Sequence, residues 1–138
     1  MAAHISGSTI HQCSGIPTRP MAGNSIGDRH QQSIKCQALR VMILDELGMI
    51  FAELLGALNH VTTNAIRTNN TNKKGTNGMA RVFGGLNVVM CVDFWQLKPV
   101  QGTWLCDNPL HVPAGRARDA LEIIWCSGPD SPDSIRKF

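Results

Sequence analysis

The run Val41-Met42-Ile43-Leu44-Asp45-Glu46 constrains the fold of this chain more than any other stretch. Four apolar residues in a row are typical of a strand that is covered on both faces in a parallel sheet. Open α/β sheets bind their ligands at the carboxyl ends of such strands, which is where Asp45 and Glu46 stand. Because burying a lone carboxylate is costly, carboxylates beside a core are either paired or used in chemistry. The run therefore predicts a buried strand that ends in a site; the alternative is a strand that runs into a polar turn.

The two adjacent carboxylates suit nucleotide chemistry. In nucleotide-hydrolysing enzymes a strand-end Asp helps to hold the magnesium ion of the bound nucleotide. The neighbouring Glu is then free to orient or deprotonate the attacking water. Asp45 and Glu46 are candidates for these two roles.

A second apolar stretch, residues 86–92, also ends in a carboxylate, Asp93. Between the two stretches, apolar residues recur at three- and four-residue spacing over 49–66, which predicts one long amphipathic helix. Two strands joined by one crossover helix form a parallel pair. The sequence thus predicts an α/β fold in which Asp45 and Asp93 face the same crevice.

The flanking segments carry weaker signals. Thr9 and Gln12 form a T-x-x-Q capping box, which predicts a short helix that Gly15-Ile16-Pro17 ends. The other expected segments are the end of a helix at 1–4, a loop at 18–28, a polar surface helix at 29–39, an Asn/Gly/Thr-rich loop at 68–80, irregular chain at 97–103, a loop at 108–113, an amphipathic helix at 114–125 and a frayed tail at 127–138.

Size, charge and cysteines narrow the class of protein. The 138 residues suffice for one compact domain, and a net charge of +3 permits a nucleic-acid partner without demanding one. No apolar run is long enough for a membrane span, and no secretory signal precedes the first elements. The five cysteines are scattered, with no C-x-x-C. This pattern favours reduced thiols in an intracellular protein over a disulfide framework or a zinc site.

Three motifs, taken together, resemble one family. Residues 44–49 (Leu-Asp-Glu-Leu-Gly-Met) resemble helicase motif II in its L-D-E-x-S-M form. Residues 83–85 with 88–100 resemble motif III, G-D-F-x-Q-L-P-P-V, and residues 2–3 with 7–11 and 15–17 resemble motif Ia. Their order and spacing are similar to those of Pif-type DNA helicases, RecD-related superfamily 1 motors that move 5′→3′ on single strands.

The resemblance implies a RecA-like P-loop NTPase domain, a parallel sheet with flanking helices that binds ATP and Mg²⁺ at its strand ends. Carried over by position, Asp45 holds Mg²⁺, Glu46 activates water, Gln96 senses the γ-phosphate and Asp93 sets the loop that carries Gln96. Thr9 and His11 lie on the side that contacts DNA. The resemblance also implies a partner, single-stranded or partly duplex DNA, and an activity, DNA unwinding in DNA repair, recombination and telomere maintenance, in the nucleus or the mitochondrion.

The sequence departs from the family pattern in several places. No G-x-x-x-x-G-K-[ST] occurs in the 138 residues, so the Walker A strand and loop are missing. Gly48 replaces Ser, Val92 replaces the Gly before Asp93 and Lys98 replaces the first of two prolines. Because Gly allows backbone angles that a β-branched residue does not, we expect Val92 to displace the loop that carries Gln96. We therefore expect residues 1–126 to be an internal piece of the first motor domain, inactive alone, with one sheet flank uncovered and the remainder of the helicase as its partner.

Two other functions compete with this interpretation. One is a non-catalytic module that binds single-stranded nucleic acid, in which Trp95, Trp104 or Trp125 stacks on bases. Of these, the helical spacing of Trp125 favours the core. The other is a metal-dependent phosphodiesterase that uses Asp45, Glu46 and Asp93 as metal ligands. Only the helicase hypothesis explains the motif III sequence.

Overall fold

The computed structural model describes residues 7–17, 34, 39–67, 81–93, 95 and 97–125. Its regular elements are three α-helices and two strands within these ranges. They are α1 (Ile10–Ser14), β1 (Val41–Leu44), α2 (Ala52–Arg67), β2 (Asn87–Met90) and α3 (Arg116–Trp125). Short 3₁₀ turns cover Leu47–Met49, Val82–Gly85 and Pro109–His111. No helix in the described part of the chain is long and apolar enough to span a bilayer.

The two strands pair in parallel, as the sequence predicts. Met42 lies opposite Val88, and Leu44 lies opposite Met90. The α/β fold is therefore confirmed, with α2 in the connection between the strands.

The chain folds as two compact units. The first comprises Met1–Asp45 and Leu58–Met90, and the second comprises Glu46–Ala57 and Cys91–Phe138. The buried apolar side chains of the first unit are Met42, Leu44, Leu58, Ile66, Phe83 and Leu86; those of the second are Leu47, Ala52, Leu54, Leu55, Leu105, Ala120 and Leu121.

In the first unit, side-chain hydrogen bonds attach the turn before β2 to the long helix. The Phe83 amide donates to Asn59 Oδ1 (2.7 Å), and the Gly84 amide donates to Thr63 Oγ1 (3.1 Å). A Cβ at Gly84 would lie only 2.8 Å from Cδ1 of Ile66, so the turn approaches α2 as closely as a glycine allows.

In the second unit, the start of α2 is attached to the loop at residue 103. The Ala52 amide donates to the Thr103 carbonyl oxygen at 2.8 Å. The Glu53 carboxylate accepts hydrogen bonds from the Thr103 amide (3.0 Å) and hydroxyl (2.7 Å). Trp125 in α3 is partly buried, and its indole N–H donates to the Leu105 carbonyl oxygen at 2.7 Å.

Several expectations from the sequence need correction. β1 is not covered on both faces: Met42 and Leu44 are buried, but Val41 and Ile43 are 49% and 66% exposed, and Val89 on β2 is 50% exposed. Successive side chains of a strand point to opposite faces, so an apolar run alone does not show that both faces are covered.

The helix and strand limits also differ. The long helix begins at Ala52 rather than at Met49, because a separate 3₁₀ turn covers Leu47–Met49 and Ile50 is extended. β2 ends at Met90, so Asp93 follows the strand by three residues instead of closing it. α3 begins at Arg116. The expected segments at 1–4, 18–28, 68–80 and 127–138 lie outside the described residues, as does most of 29–39.

Candidate functional site

The first candidate carboxylate, Asp45, directly follows the last residue of β1. Because Leu44 pairs with Met90 in a parallel register, both strands end at the same edge of the sheet. Asp45 is exposed. The structure therefore places this side chain where a parallel sheet presents ligand-binding groups, as the sequence predicts.

Glu46, the second candidate, has an unusual backbone conformation. Its φ and ψ are 55° and 40°, the left-handed region, which costs a residue other than glycine about 1–2 kcal/mol. The following 3₁₀ turn holds it: the Met49 amide donates to the Glu46 carbonyl oxygen (3.1 Å), and the Leu47 amide donates to Cys91 (3.0 Å). Strained residues of this kind are concentrated at functional sites. No sequence pattern signals this conformation.

Asp93 is exposed and orients the backbone of the motif III segment. Its Oδ1 accepts a hydrogen bond from the Trp95 amide at 3.0 Å. The role expected from the sequence for Asp93, to set the loop that follows, stays a prediction. Gln96, the other candidate in this segment, lies outside the described residues.

Thr9 and His11 both make local hydrogen bonds. Thr9 is the N-cap of α1, and its hydroxyl oxygen accepts from the Gln12 amide at 3.2 Å, which confirms the predicted capping box. His11 Nδ1 lies 2.9 Å from the Ile16 carbonyl oxygen. Gly15 ends the helix with a left-handed conformation at φ 62°. Both side chains thus shape the start and the end of this short helix.

The donor atoms of the described residues decide which kind of metal site they could form. Within the described ranges, no group of three or more His, Cys, Asp or Glu could hold a metal ion by itself. Mg²⁺ at phosphate-transfer sites needs no such cage, because one or two carboxylates and the substrate phosphates suffice. The exposed Asp45 carboxylate fits that more limited role.

Among the described residues of the second unit, Glu53 and Cys106 have shifted pKa values. Burial raises the pKa of Glu53, but hydrogen bonds from the Thr103 side chain, its own backbone and the Thr103 backbone outweigh this, and the net pKa lies below the ordinary value. Burial and the nearby Asp107 charge raise the pKa of the Cys106 thiol, against the opposing charge of Lys98. Sequence reasoning missed the Glu53–Thr103 pair, since its partners are 50 residues apart.

Comparison with known proteins decides the family. The model of the PIF1-like helicase family matches residues 1–104. The chain belongs to the PIF1-like helicase family. The ATP-dependent DNA helicase PIF1 of Candida albicans is 32% identical over 103 residues, covering 72% of this chain and 10% of that protein. Human PIF1 is 33% identical over 105 residues, covering 72% and 14%.

Other relatives give the same result. The ATP-dependent DNA helicase RRM3 of Saccharomyces cerevisiae is 33% identical over 107 residues, covering 72% of this chain and 13% of RRM3. The chain therefore spans 10% to 14% of the length of these relatives.

Solved structures establish the fold. Bacteroides Pif1 bound to single-stranded DNA aligns with a TM-score of 0.52 at 23% identity, covering 72% of this chain and 21% of that one. The complex of Bacteroides Pif1 with ADP-AlF3 and single-stranded DNA also gives 0.52, at 20% identity, covering 91% and 25%. The α/β architecture is thus similar to part of a Pif1 helicase motor domain.

The departures from the PIF1-like motifs are accommodated locally. Val92, where the resemblance suggests a glycine in the family motif, does not have a positive φ: the non-glycine residues with positive φ in the described chain are Glu46 and Phe83. Lys98 replaces a proline, and its ammonium lies 4.4 Å from the centroid of the Trp104 ring, a cation–π contact. Gly48, in place of serine, is buried in the 3₁₀ turn.

Proposed function

We propose that this chain is part of the motor of an ATP-dependent DNA helicase that couples ATP hydrolysis to 5′→3′ unwinding of DNA. The observation that carries the proposal is the parallel pair, whose register places both strand ends at one edge, with Asp45 and Glu46 next in the chain. Membership of the PIF1-like family supports it. DNA repair, recombination and telomere maintenance in the nucleus or the mitochondrion are the processes that this activity would serve.

The proposed roles follow the motif positions. Asp45 holds Mg²⁺ together with the nucleotide phosphates, and Glu46 orients or deprotonates the attacking water. The metal, when bound, neutralises charge that develops on the phosphates. Asp93 fixes the backbone after β2, consistent with its hydrogen bond to the Trp95 amide. Gln96 senses the γ-phosphate.

The DNA contact is proposed for the residues of motif Ia. Thr9 and His11 are placed there by their motif positions, and their hydrogen bonds hold both ends of α1 in shape. Two of the similar solved structures are Pif1 complexes with single-stranded DNA. Single-stranded or partly duplex DNA is therefore the proposed partner, together with the remainder of a helicase motor.

The 138 residues by themselves are proposed to bind single strands without hydrolysing ATP. They contain no G-x-x-x-x-G-K-[ST], and that loop supplies much of the phosphate binding and transition-state stabilisation in such motors. The same sequence fact favours the second candidate function, a non-catalytic module that binds single strands.

A binding titration tests the proposal. Fluorescence anisotropy of a labelled oligo-dT, titrated with the purified chain over a series of salt concentrations, is expected to show binding whose log affinity falls linearly with log salt concentration. The slope is expected to be about −0.7 per phosphate contact, and addition of MgATP is expected to leave the affinity unchanged.

Three outcomes would contradict parts of this proposal. Absence of binding at low salt would show that this chain does not bind DNA. An affinity that changes with MgATP would show that the chain binds nucleotide without the missing loop. Metal-dependent cleavage of the strand without nucleotide would instead favour the phosphodiesterase.

A further inference from the structure

The segment after β2 exposes three apolar side chains within six residues. Trp95 is 98% exposed, Leu97 is 91% exposed and Val100 is 100% exposed. Single exposed apolar residues are common on protein surfaces, but tryptophan is highly buried on average. Since a tryptophan side chain can bury about 150–250 Å², full exposure leaves a large apolar surface without a partner.

The other two tryptophans of the chain are already engaged. Trp125 is partly buried and donates its indole N–H to the Leu105 carbonyl oxygen at 2.7 Å. The Trp104 ring is covered by the Lys98 ammonium at 4.4 Å from its centroid. Trp95 is therefore the tryptophan whose ring is open to a ligand.

The backbone amide of Trp95 makes a local hydrogen bond although the side chain is exposed. It donates to Asp93 Oδ1 at 3.0 Å, a contact between residues two apart in the chain. Trp95 has only two side-chain torsions to order, so it suits the stacking of a flat ligand.

A positive charge lies close along the chain. Lys98 follows Trp95 by three residues, so the two Cα atoms are at most about 11 Å apart. The Lys98 ammonium carries three N–H donors, and its contact with the Trp104 ring leaves donors for a phosphate. Trp95 and Lys98 thus bring an exposed ring and a cation into one short segment, and single-strand binders hold bases on aromatic faces and phosphates on cations.

We propose that Trp95 is a stacking residue for a base of single-stranded DNA, with Lys98 contacting the adjacent backbone. This inference rests on the proposed function and adds a named contact to it. A flat ring with a neighbouring cation matches a nucleotide better than it matches an aliphatic protein surface, because a nucleotide offers both a π-face and a negative charge.

The test compares four chains and two strands. Wild type, Trp95→Ala, Trp95→Phe and Leu97→Ala are titrated by anisotropy against a labelled oligo-dT and against an abasic strand of equal length, at one low salt concentration. Leu97→Ala is the matched control, since it removes an equally exposed apolar side chain from the same segment without removing a ring.

We expect the substitution of Trp95 to lower the affinity only for the strand that carries bases. Trp95→Ala lowers the affinity for oligo-dT by about 5- to 150-fold, the range for loss of one stacked base, while Trp95→Phe retains part of the affinity. Leu97→Ala stays within about twofold of wild type, because it removes no stacking contact. On the abasic strand, Trp95→Ala and wild type bind equally.

Each contrary result has a defined meaning. If wild type binds oligo-dT and Trp95→Ala binds equally well, the stacking role is overturned while the proposed DNA binding stands. If wild type binds neither strand, the proposed function fails and the inference fails with it. If Trp95→Ala leaves the affinity for DNA unchanged and abolishes self-association in size-exclusion chromatography, the exposed ring serves a second copy of the chain, and the inference is overturned.

Discussion

At the scale of single residues, Glu46 has both a proposed chemical role and a strained backbone conformation. Its left-handed conformation is held by two hydrogen bonds: the Met49 amide donates to the Glu46 carbonyl oxygen, and the Leu47 amide donates to the Cys91 carbonyl oxygen. Asparagine tolerates this conformation, whereas a β-branched residue does not. The side chain and the backbone of Glu46 can therefore be tested separately.

The first prediction concerns that backbone. Glu46→Val is expected to lower the free energy of unfolding by about 1–2 kcal/mol more than Glu46→Asn does. Both variants lose the carboxylate, so the difference reports the backbone conformation. Urea denaturation followed by circular dichroism measures it. Equal stability of the two variants would show that Glu46 does not adopt the left-handed conformation in solution.

The second prediction follows from Glu53, whose pKa in the folded chain lies below the ordinary 4.5. The unfolded state binds the proton more tightly, so the contribution to stability is complete above about pH 4.5 and is lost as the pH falls through the lowered pKa. Glu53→Gln is expected to lower the free energy of unfolding at pH 7 by about 1–2 kcal/mol, since charged hydrogen bonds to Thr103 are replaced by neutral ones.

The measurement is a set of thermal melts of wild type and Glu53→Gln between pH 3 and pH 7. The difference in stability should be largest at pH 7 and should shrink as the pH falls below 4.5. A difference that is constant over this range would show that the carboxylate charge does not contribute.

At the scale of elements, the two faces of β1 differ. Leu44 is buried and Ile43 is largely exposed, although both belong to the same apolar run. Leu44→Ala is expected to lower the free energy of unfolding by about 2–5 kcal/mol, as large-to-small changes in a core do. Ile43→Ala is expected to lower it by less than about 1 kcal/mol. Equal losses in chemical denaturation would indicate that both faces are covered.

The glycine inside α2 provides another test. Helix propensity predicts that Gly56→Ala stabilises a helix by about 1 kcal/mol. In the structure, a Cβ at Gly56 would overlap the Arg116 carbonyl oxygen and lie 3.0 Å from its carbonyl carbon. We therefore expect Gly56→Ala to destabilise the chain by about 1–3 kcal/mol, measured by urea denaturation.

A neighbouring substitution controls for propensity. Ala57→Gly changes the same helix in the opposite direction and is expected to cost about 1 kcal/mol. Stabilisation by Gly56→Ala would mean that α2 and the start of α3 do not approach each other as closely as the structure shows.

Local signals made some elements predictable from the sequence. The Thr9–Gln12 capping box involves residues three apart, so the sequence contains the whole motif. The parallel pair follows from two apolar runs and one connecting helix. The start of α2 was not predictable, because Met49 and Ile50 fit the apolar periodicity although the chain turns at Glu46.

Some features of the candidate-site residues were likewise predictable from the sequence, and others were not. Asp45 follows β1 directly, as the sequence predicts. The exposure of Trp95 could not be read from its sequence neighbours, because packing against distant residues decides it. The hydrogen bonds between Glu53 and Thr103 join residues 50 apart, for which the sequence carries no pairing signal.

At the scale of the whole molecule, the proposed activity depends on which family motifs the 138 residues contain. It spans 10% to 14% of its curated relatives, and the family match covers residues 1–104. The strand-end carboxylates are present, but the sequence contains no phosphate-binding loop of the G-x-x-x-x-G-K-[ST] type. We therefore expect this chain to bind DNA without turning over ATP.

ATP turnover by the purified 138-residue chain tests this expectation most directly. Phosphate release is measured with Mg²⁺ and single-stranded DNA, for wild type and for Glu46→Gln, at protein concentrations at which the wild type binds the strand. We expect no release above background for either chain, because the carboxylates act only on phosphates that a nucleotide-binding loop holds in place. Mg²⁺-dependent turnover by wild type that Glu46→Gln abolishes would contradict this expectation and would show that this chain is a complete ATPase.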